Sequence, residues 1–166
     1  MASGVVFDPM RLLRVAPLVS STGSLVFATS ELLMNSAFLQ SEIRQQSNKV
    51  LPKWYEKVFY RAVCIVIALN TVSTTSAVAN IVVDHRTYVP TLSTRLYTVG
   101  LIAAIGHMAF VPFVATPIQQ MVEDSSQEGA TAEMEKWLSF HRIRMAVADL
   151  PAWISFLGAF TSSTFF

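Results

Sequence analysis

Four long apolar stretches divide this chain of 166 residues, and their length restricts the folds that it can adopt. They cover roughly residues 17–39, 58–83, 95–116 and 133–161. About 20 mainly apolar residues are enough for a helix to cross a bilayer, and lipid favours helices because they satisfy their own backbone polar groups. The sequence therefore predicts an all-α protein, an integral membrane four-helix bundle that forms a single domain over residues 1–166.

The composition supports the same prediction. Hydrophobic residues make up 52% of the chain and charged residues only 14%, whereas a soluble domain carries about 25% charged residues. A soluble four-helix core is the alternative, but the stretches show almost no amphipathic stripe. We expect a multi-pass membrane protein, in the endoplasmic reticulum if the cell is eukaryotic. The excess of lysine and arginine in the first and third loops favours a cytoplasmic position for both.

Several classes of partner find no support in the sequence. The net charge is +1, which gives no electrostatic reason to expect nucleic acid. One cysteine, Cys64, and three scattered histidines provide neither a disulfide nor a zinc ligand set. We therefore expect no metal and no cofactor, and we expect a small apolar substrate and the lipid bilayer as partners. The oligomeric state is left open.

The fourth stretch opens with an unusual group of polar side chains. Trp137, His141 and Arg144 recur at i, i+4 and i+7 and share one helix face. Asp149 lies about a quarter turn from His141, so we expect it to pair with Arg142 or with a neighbouring helix rather than with Arg144. Ionisable groups in a bilayer are rare and usually functional. The alternative is a positive flank beside an interfacial aromatic belt.

Glu31 and Asn35 form a second polar group, on the first apolar stretch. In an up-and-down bundle they approach the depth of His141 and Asp149. A charge at the centre of a bilayer costs roughly 2.5 to 3.5 kcal/mol, so Glu31 is either neutralised by Arg144 or protonated. The pair could tether helices one and four, or form part of a functional site, and the two interpretations are compatible.

The middle stretches carry two further candidates. Asn70 shares a face with small polar residues, which is typical of hydrogen bonding between membrane helices and also of ligand contact. His107 lies on an apolar face of the third stretch, either as a core residue or in the lining of a cavity. Pro112 and Pro117 then bend or end that helix.

At these residues the chain resembles the anthrone oxygenase-like family of small four-span membrane proteins, formerly a domain of unknown function. The family shows a tryptophan, a histidine and an arginine at the entry of its fourth helix, as Trp137, His141 and Arg144 do here. A second match lies at the exit of the third helix, where the corresponding residues are Pro112, Phe113 and Pro117.

The chain departs from the family at two positions. Val114 stands where the family has a threonine, and Gln119 or Gln120 stands near its expected asparagine. The resemblance implies a biosynthetic membrane enzyme that oxidises a polyketide anthrone to an anthraquinone without metal or flavin.

The resemblance suggests a mechanism that begins with removal of a proton from the substrate. The resulting carbanion can pass an electron directly to dioxygen. His141 is the predicted base, Arg144 the predicted stabiliser of the oxyanion, and Asp149 or Glu31 the group that orients the base or relays its proton. The predicted substrate-binding residues are Trp137, Asn35, Asn70, His107 and Phe113.

Two other functions remain open at this stage. A cyclase or isomerase of natural-product biosynthesis would use the same acid–base cluster without oxygen. A non-enzymatic four-span scaffold would instead show a closed Glu31–Arg144 salt bridge with no pocket beside it.

Overall fold

The structure is a computed structural model that describes residues 8–84 and 91–164, and in these ranges it is helical, without β-strands. Six α-helices and one π-helical turn follow in chain order: α1 Pro9–Ala37, α2 Arg44–Asp84, α3 Leu92–Met108, α4 Val111–Val122, α5 Ala130–Arg144, the π turn Met145–Asp149, and α6 Leu150–Thr164. Helices α3 and α4 continue one another across a short break, and the π turn joins α5 directly to α6. The described residues therefore form four long rods.

The four rods pack as a bundle in which sequential rods are neighbours. Helix α1 contacts α2 and α6, while α3 contacts α2 and α6. Each rod contains a helical segment that is long and apolar enough to cross a membrane: Pro9–Ala37, Arg44–Asp84, Leu92–Val122 and Ala130–Ser163. The prediction of an all-helical fold with four long apolar helices is confirmed.

The first helix begins earlier than predicted, at Pro9 instead of Pro17. The Asp8 carboxylate accepts a hydrogen bond from the Met10 backbone N–H at 3.0 Å and caps the helix. Pro9 lies in the first turn, where backbone N–H groups have no acceptor within the helix, so the lack of an N–H in proline breaks no hydrogen bond. Pro17, predicted to start the helix, lies inside it.

The second helix is also longer than predicted, because it begins at Arg44 and not near residue 58. The predicted first loop, residues 40–57, is therefore helical over most of its length. Leu51 and Tyr55 are buried against Met134, Trp137 and Leu138. This packing gives residues 44–57 an apolar face on α5, so tertiary contact stabilises a segment whose polar composition resembled a loop.

The third apolar stretch bends as its prolines predicted. Helix α3 ends at Met108 and α4 begins at Val111, with Pro112 in its first turn. Proline has no N–H to bond the carbonyl four residues earlier and clashes with it, which breaks the helix at this point. Pro117 lies inside α4 and does not end it.

The bundle buries polar groups beside its apolar core and exposes many apolar side chains. Ser20 Oγ and Ser73 Oγ lie 2.7 Å apart between α1 and α2, and the Asn80 amide donates to the Leu13 carbonyl at 2.8 Å. Leu33 and Ile102 are 67% and 65% exposed. Soluble domains rarely expose large apolar patches, and small or polar residues at helix contacts are typical of helices that associate in lipid.

Because Gly100 has no side chain, α3 and α6 can lie close together at this residue. A Cβ at Gly100 would lie 2.5 Å from Phe156 Cε1, whereas a Cβ at Gly106 on the same helix would meet nothing within 4 Å. We therefore expect Gly100→Ala to destabilise the protein by about 1–3 kcal/mol through overpacking. Gly106→Ala should be neutral or stabilise it by up to about 1 kcal/mol through helix propensity.

Unfolding by sodium dodecyl sulfate in mixed micelles, followed by far-ultraviolet circular dichroism, measures both changes. Equal midpoints for the two variants would contradict this account of the α3–α6 contact.

Candidate active site

A cavity of about 460 Å³ lies among the four rods, with walls from α1 to α5. Most of its lining is aliphatic or aromatic. The residues that line it are Phe27, Ser30, Glu31, Met34, Asn35, Trp54, Tyr55, Val58, Phe59, Ala62, Val63, Val66, Ile67, His107, Met108, Val111, Val114, Ala115, Ile118, Trp137 and Arg144. Apolar walls with a few converging polar groups are typical of a small-molecule site.

The π turn brings Asp149 beneath Arg144. Five residues rotate an α-helix by about 500°, which would leave Asp149 about 140° away from Arg144. A π turn is closed by i→i+5 hydrogen bonds, so residues five apart lie on the same side. Arg144 Nε is 3.3 Å from Asp149 Oδ2, and the two side chains are only 10% and 6% exposed. Asp149 was predicted to pair with Arg142 or with a neighbouring helix rather than with Arg144. The pairing with Arg144 contradicts that prediction, and Arg142 is exposed. The expected contact with a neighbouring helix is present, at His107 of α3.

The Arg144–Asp149 contact is close but not a well-formed hydrogen bond. Arg144 Nε and Asp149 Oδ2 lack hydrogen-bond geometry to any described residue, despite their short separation. We therefore treat the contact as an electrostatic pairing of two buried charges. Removal of one partner from such a pair leaves the other uncompensated in a poorly solvated site.

Asp149 also binds His107 across the bundle. His107 Nδ1 lies 2.7 Å from Asp149 Oδ1, and both side chains are buried. An ionised carboxylate only accepts hydrogen bonds, so Nδ1 carries the proton and donates it. Nε2 is then the ring nitrogen that remains available, and the His107 side chain lines the cavity.

His141 is fully buried, and both its ring nitrogens are engaged. Nε2 lies 2.9 Å from the Ala28 carbonyl oxygen, which can only accept, so Nε2 carries the proton. Nδ1 accepts from Arg144 Nη2 at 3.1 Å. The ring stacks on Trp137 with centroids 4.7 Å apart. His141 is therefore a neutral imidazole that holds Arg144 in place, and it lies behind the cavity wall.

These contacts form one buried polar network. It runs from the Ala28 carbonyl through His141, Arg144 and Asp149 to His107, and so joins α1, the fourth rod and α3. Only Arg144 and His107 among these side chains line the cavity. The network thus presents a cation and an imidazole to a mostly apolar space.

The predicted site residues divide into those at the cavity and those away from it. Glu31, Asn35, His107, Trp137 and Arg144 line it. His141 and Asp149 lie immediately behind Arg144 and His107. Among the described residues, Glu31 forms no ion pair with Arg144, whose carboxylate partner is Asp149.

Asn70 and Phe113 lie outside the cavity lining. The Asn70 amide donates to the Ala104 carbonyl at 2.9 Å and links α2 to α3, which matches the interpretation as a helix–helix hydrogen bond. Phe113 is 56% exposed, and its ring centroid lies 5.7 Å from that of Phe140.

Sequence reasoning missed the contribution of α2. Trp54, Tyr55 and Phe59 line the cavity, and Tyr55 meets Trp137 edge to face at a centroid distance of 6.1 Å. The spacing of Leu51, Tyr55 and Phe59 at i, i+4 and i+8 is the signal that could have shown a buried helical face.

Similarity to known proteins shows the family to which the chain belongs. The chain is 32% identical over 151 residues to epoxidase pydX of an Acremonium species, a match that covers 91% of this chain and 93% of that protein. It is also 32% identical over 154 residues to epoxidase gkaX of Penicillium citrinum, which covers 93% and 96%. No protein-family model matches the chain. No solved structure matches it either.

A helical bundle with an apolar cavity and a buried ionisable network is thus found in a chain related to oxygen-transferring enzymes. The chain belongs to the family of these fungal epoxidases. The prediction of an oxygenase-like biosynthetic enzyme is confirmed.

The π turn makes a prediction about energetic coupling. In a double-mutant cycle, Asp149→Asn and Arg144→Gln should couple by about 1–3 kcal/mol, because each change strands the other charge. Asp149→Asn and Arg142→Gln should show no coupling, and Arg142→Gln alone should change stability by less than about 0.5 kcal/mol. Unfolding of the single and double variants in mixed micelles measures both coupling energies and the effect of Arg142→Gln. Coupling to Arg142 in place of Arg144 would mean that the turn is an ordinary α-helix.

Proposed function

We propose that this protein is a multi-pass membrane oxygenase that epoxidises a carbon–carbon double bond of a small apolar biosynthetic intermediate held in the central cavity. The proposal rests on one observation. Arg144 and His107, which both contact Asp149, line a mostly apolar cavity. The names of the related epoxidases support the reaction.

Membrane embedding follows from the surface of the bundle. Apolar side chains such as Val26, Leu33 and Ile102 are more than half exposed on the outer faces of the helices. Lipid would cover these faces, and an apolar substrate would be concentrated in the same lipid. In a fungal cell we expect the endoplasmic reticulum to be that membrane.

Epoxidation by dioxygen has a fixed balance. One oxygen atom enters the double bond and the other leaves as water, so the reaction consumes two electrons and two protons. The electrons come from an external two-electron donor. The chain itself supplies the apolar binding space and the groups that place protons and charge.

We assign proton transfer to His107. Asp149 fixes the ring by accepting from Nδ1, in the way that a carboxylate orients a catalytic imidazole. Nε2 can then exchange a proton with a reacting group in the cavity. This role differs from the sequence-based assignment to His141, whose two nitrogens are engaged by Ala28 and Arg144.

Arg144 would stabilise the oxygen anion that forms during transfer. Its guanidinium is permanently charged, and His141 and Asp149 hold it at the cavity wall. Tyr55 and Trp137 would contact a flat or conjugated part of the substrate. Preorganised charge of this kind acts strongly where water is scarce.

The same groups favour one second candidate, oxygenation through a substrate carbanion. An anthrone-type methylene reacts with dioxygen to give a carbonyl and water, and the substrate supplies all the electrons. His107 would remove the first proton and Arg144 would stabilise the anion. A cyclase or isomerase would use the same proton transfer without oxygen. The scaffold alternative predicted a closed Glu31–Arg144 pair without a pocket, whereas the structure has a cavity and pairs Arg144 with Asp149.

The electron balance distinguishes these reactions experimentally. Deletion of the gene in the producing organism should accumulate the substrate, which can be given to the purified protein in lipid nanodiscs under oxygen-18 gas. We expect one oxygen-18 atom in an epoxide, formed only when an electron donor and its reductase are present. A labelled carbonyl formed without a donor would indicate carbanion oxygenation. An unlabelled product formed without oxygen would contradict the oxygenase proposal.

In the same assay, His107→Gln should lower turnover by about 10²- to 10⁴-fold, the usual contribution of a general acid–base group. Ser30→Ala is the matched control, because Ser30 lines the cavity while its hydroxyl donates to the Val26 carbonyl of its own helix. It should keep turnover within about twofold. Unchanged turnover in folded His107→Gln protein would remove His107 from the mechanism.

A further inference from the structure

One buried polar group at the cavity has no partner. Asn35 is only 3% exposed, and its Oδ1 atom is buried without a hydrogen-bond donor among the described residues. The amide as a whole makes no side-chain hydrogen bond in the described part of the chain. A buried amide oxygen without a hydrogen bond destabilises a folded protein, so stability does not explain the presence of Asn35.

The position of Asn35 suggests that explanation. Asn35 lines the cavity, and so does Glu31, one helical turn earlier on the same face of α1. Glu31 also makes no hydrogen bond or ion pair to the residues that the structure describes. Two oxygen-bearing side chains, both without donors, therefore face the same space.

Two asparagines elsewhere in the bundle, unlike Asn35, have hydrogen bonds that link helices. Asn70 and Asn80 both donate to backbone carbonyls of a neighbouring helix. Ser30, beside Glu31 on the cavity wall, bonds within its own helix. Packing of the bundle thus uses Asn70 and Asn80 and leaves the Asn35 side chain without a hydrogen bond to the described residues.

We infer that Asn35 and Glu31 form a polar anchor for the substrate, which is an apolar molecule carrying at least one hydrogen-bond donor, a hydroxyl or an amide N–H. The inference rests on the proposed function and specifies its substrate class. The donor of the ligand satisfies Asn35 Oδ1, and Glu31 can share it or accept a second one. The remainder of the molecule lies against the aliphatic wall formed by residues of α2 and α4.

The anchor also sets an orientation for the ligand. Asn35 and Glu31 lie on α1, whereas Arg144 and His107 lie on the fourth rod and on α3. All four side chains line the same cavity, so a molecule whose donor group is held by Asn35 has its position fixed relative to the reacting groups. A bound geometry that is fixed in this way favours reaction.

A matched pair of probes tests the anchor without knowledge of the natural substrate. 1-Hydroxypyrene and 1-methylpyrene have similar size and shape, and only the first carries a donor. Their binding to the protein in lipid nanodiscs can be followed through tryptophan fluorescence, because Trp54 and Trp137 line the cavity. Lipid partitioning differs between the two probes, so each affinity is corrected by the partition coefficient of that probe in nanodiscs without protein. Partitioning of one probe is the same for every variant.

The wild-type protein should bind 1-hydroxypyrene about five- to tenfold more tightly than 1-methylpyrene, the value of one hydrogen bond. Asn35→Leu should reduce that preference to about one while leaving 1-methylpyrene binding within about twofold. Asn35→Ala should do the same, and provides the test if the leucine variant does not fold. Ser30→Ala, the matched control, should keep the full preference.

Stability provides a second readout. Asn35→Leu should raise the thermal midpoint of the empty protein, because it removes a buried amide without partners. A lower midpoint in a folded variant would mean that Asn35 stabilises the bundle, and would count against the anchor.

Three binding results would overturn the inference: no preference in the wild type, a preference that survives both Asn35 substitutions, or a preference lost only in Arg144→Met. Each of them leaves the proposed oxygenase reaction intact, since that reaction is judged by oxygen-18 incorporation. If no oxygen-18 enters the product but the preference for 1-hydroxypyrene still depends on Asn35, the proposed oxygenase reaction is wrong and the anchor stands. The protein would then bind its ligand through Asn35 and have another activity.

Discussion

The pairing of Arg144 with Asp149 depends on one widened helical turn, and the polar side of the cavity depends on that pairing. The π turn at Met145–Asp149 moves the carboxylate under the guanidinium. Asp149 can then hold His107 on α3 as well, so one carboxylate serves two cations or potential cations. Without it, Arg144 would be an uncompensated charge inside an apolar bundle, which is strongly unfavourable. Single π turns are frequent at functional sites, and here the geometric reason is visible.

The two histidines of the network, His141 and His107, differ in their contacts and in their position relative to the cavity. His141 is buried, neutral and bonded at both nitrogens, so it acts as a rigid support for Arg144. Within residues 8–84 and 91–164, His107 is hydrogen-bonded at one ring nitrogen, and it lines the cavity. The supporting histidine therefore lies behind the cavity wall, and the histidine to which we assign proton transfer lies in the wall. This division gives a physical basis for different roles of the two residues.

Much of the fold could be predicted from the sequence, because apolar stretches of this length favour long helices that satisfy their own backbone hydrogen bonds. The bend before Pro112 followed from proline chemistry in the same way. The shared face of Trp137, His141 and Arg144 was also predictable, since it needs only α-helical periodicity. The position of Asp149 was not, because that periodicity fails in the turn that contains it. No residue type in Met145–Asp149 indicates where a helix will widen.

The length of α2 has a consequence for the environment of the cavity. Its 41 residues correspond to about 60 Å of helix, whereas the hydrocarbon core of a bilayer is about 30 Å thick. If the apolar part of α2, from residue 58 onward, lies in lipid, the cavity residues from Trp54 to Ile67 begin in the headgroup layer and continue into hydrocarbon. A bound molecule would then cross a steep change in dielectric constant along its own length. Amphiphilic molecules lower their free energy in such a gradient, so the bilayer itself would align them before any side chain does.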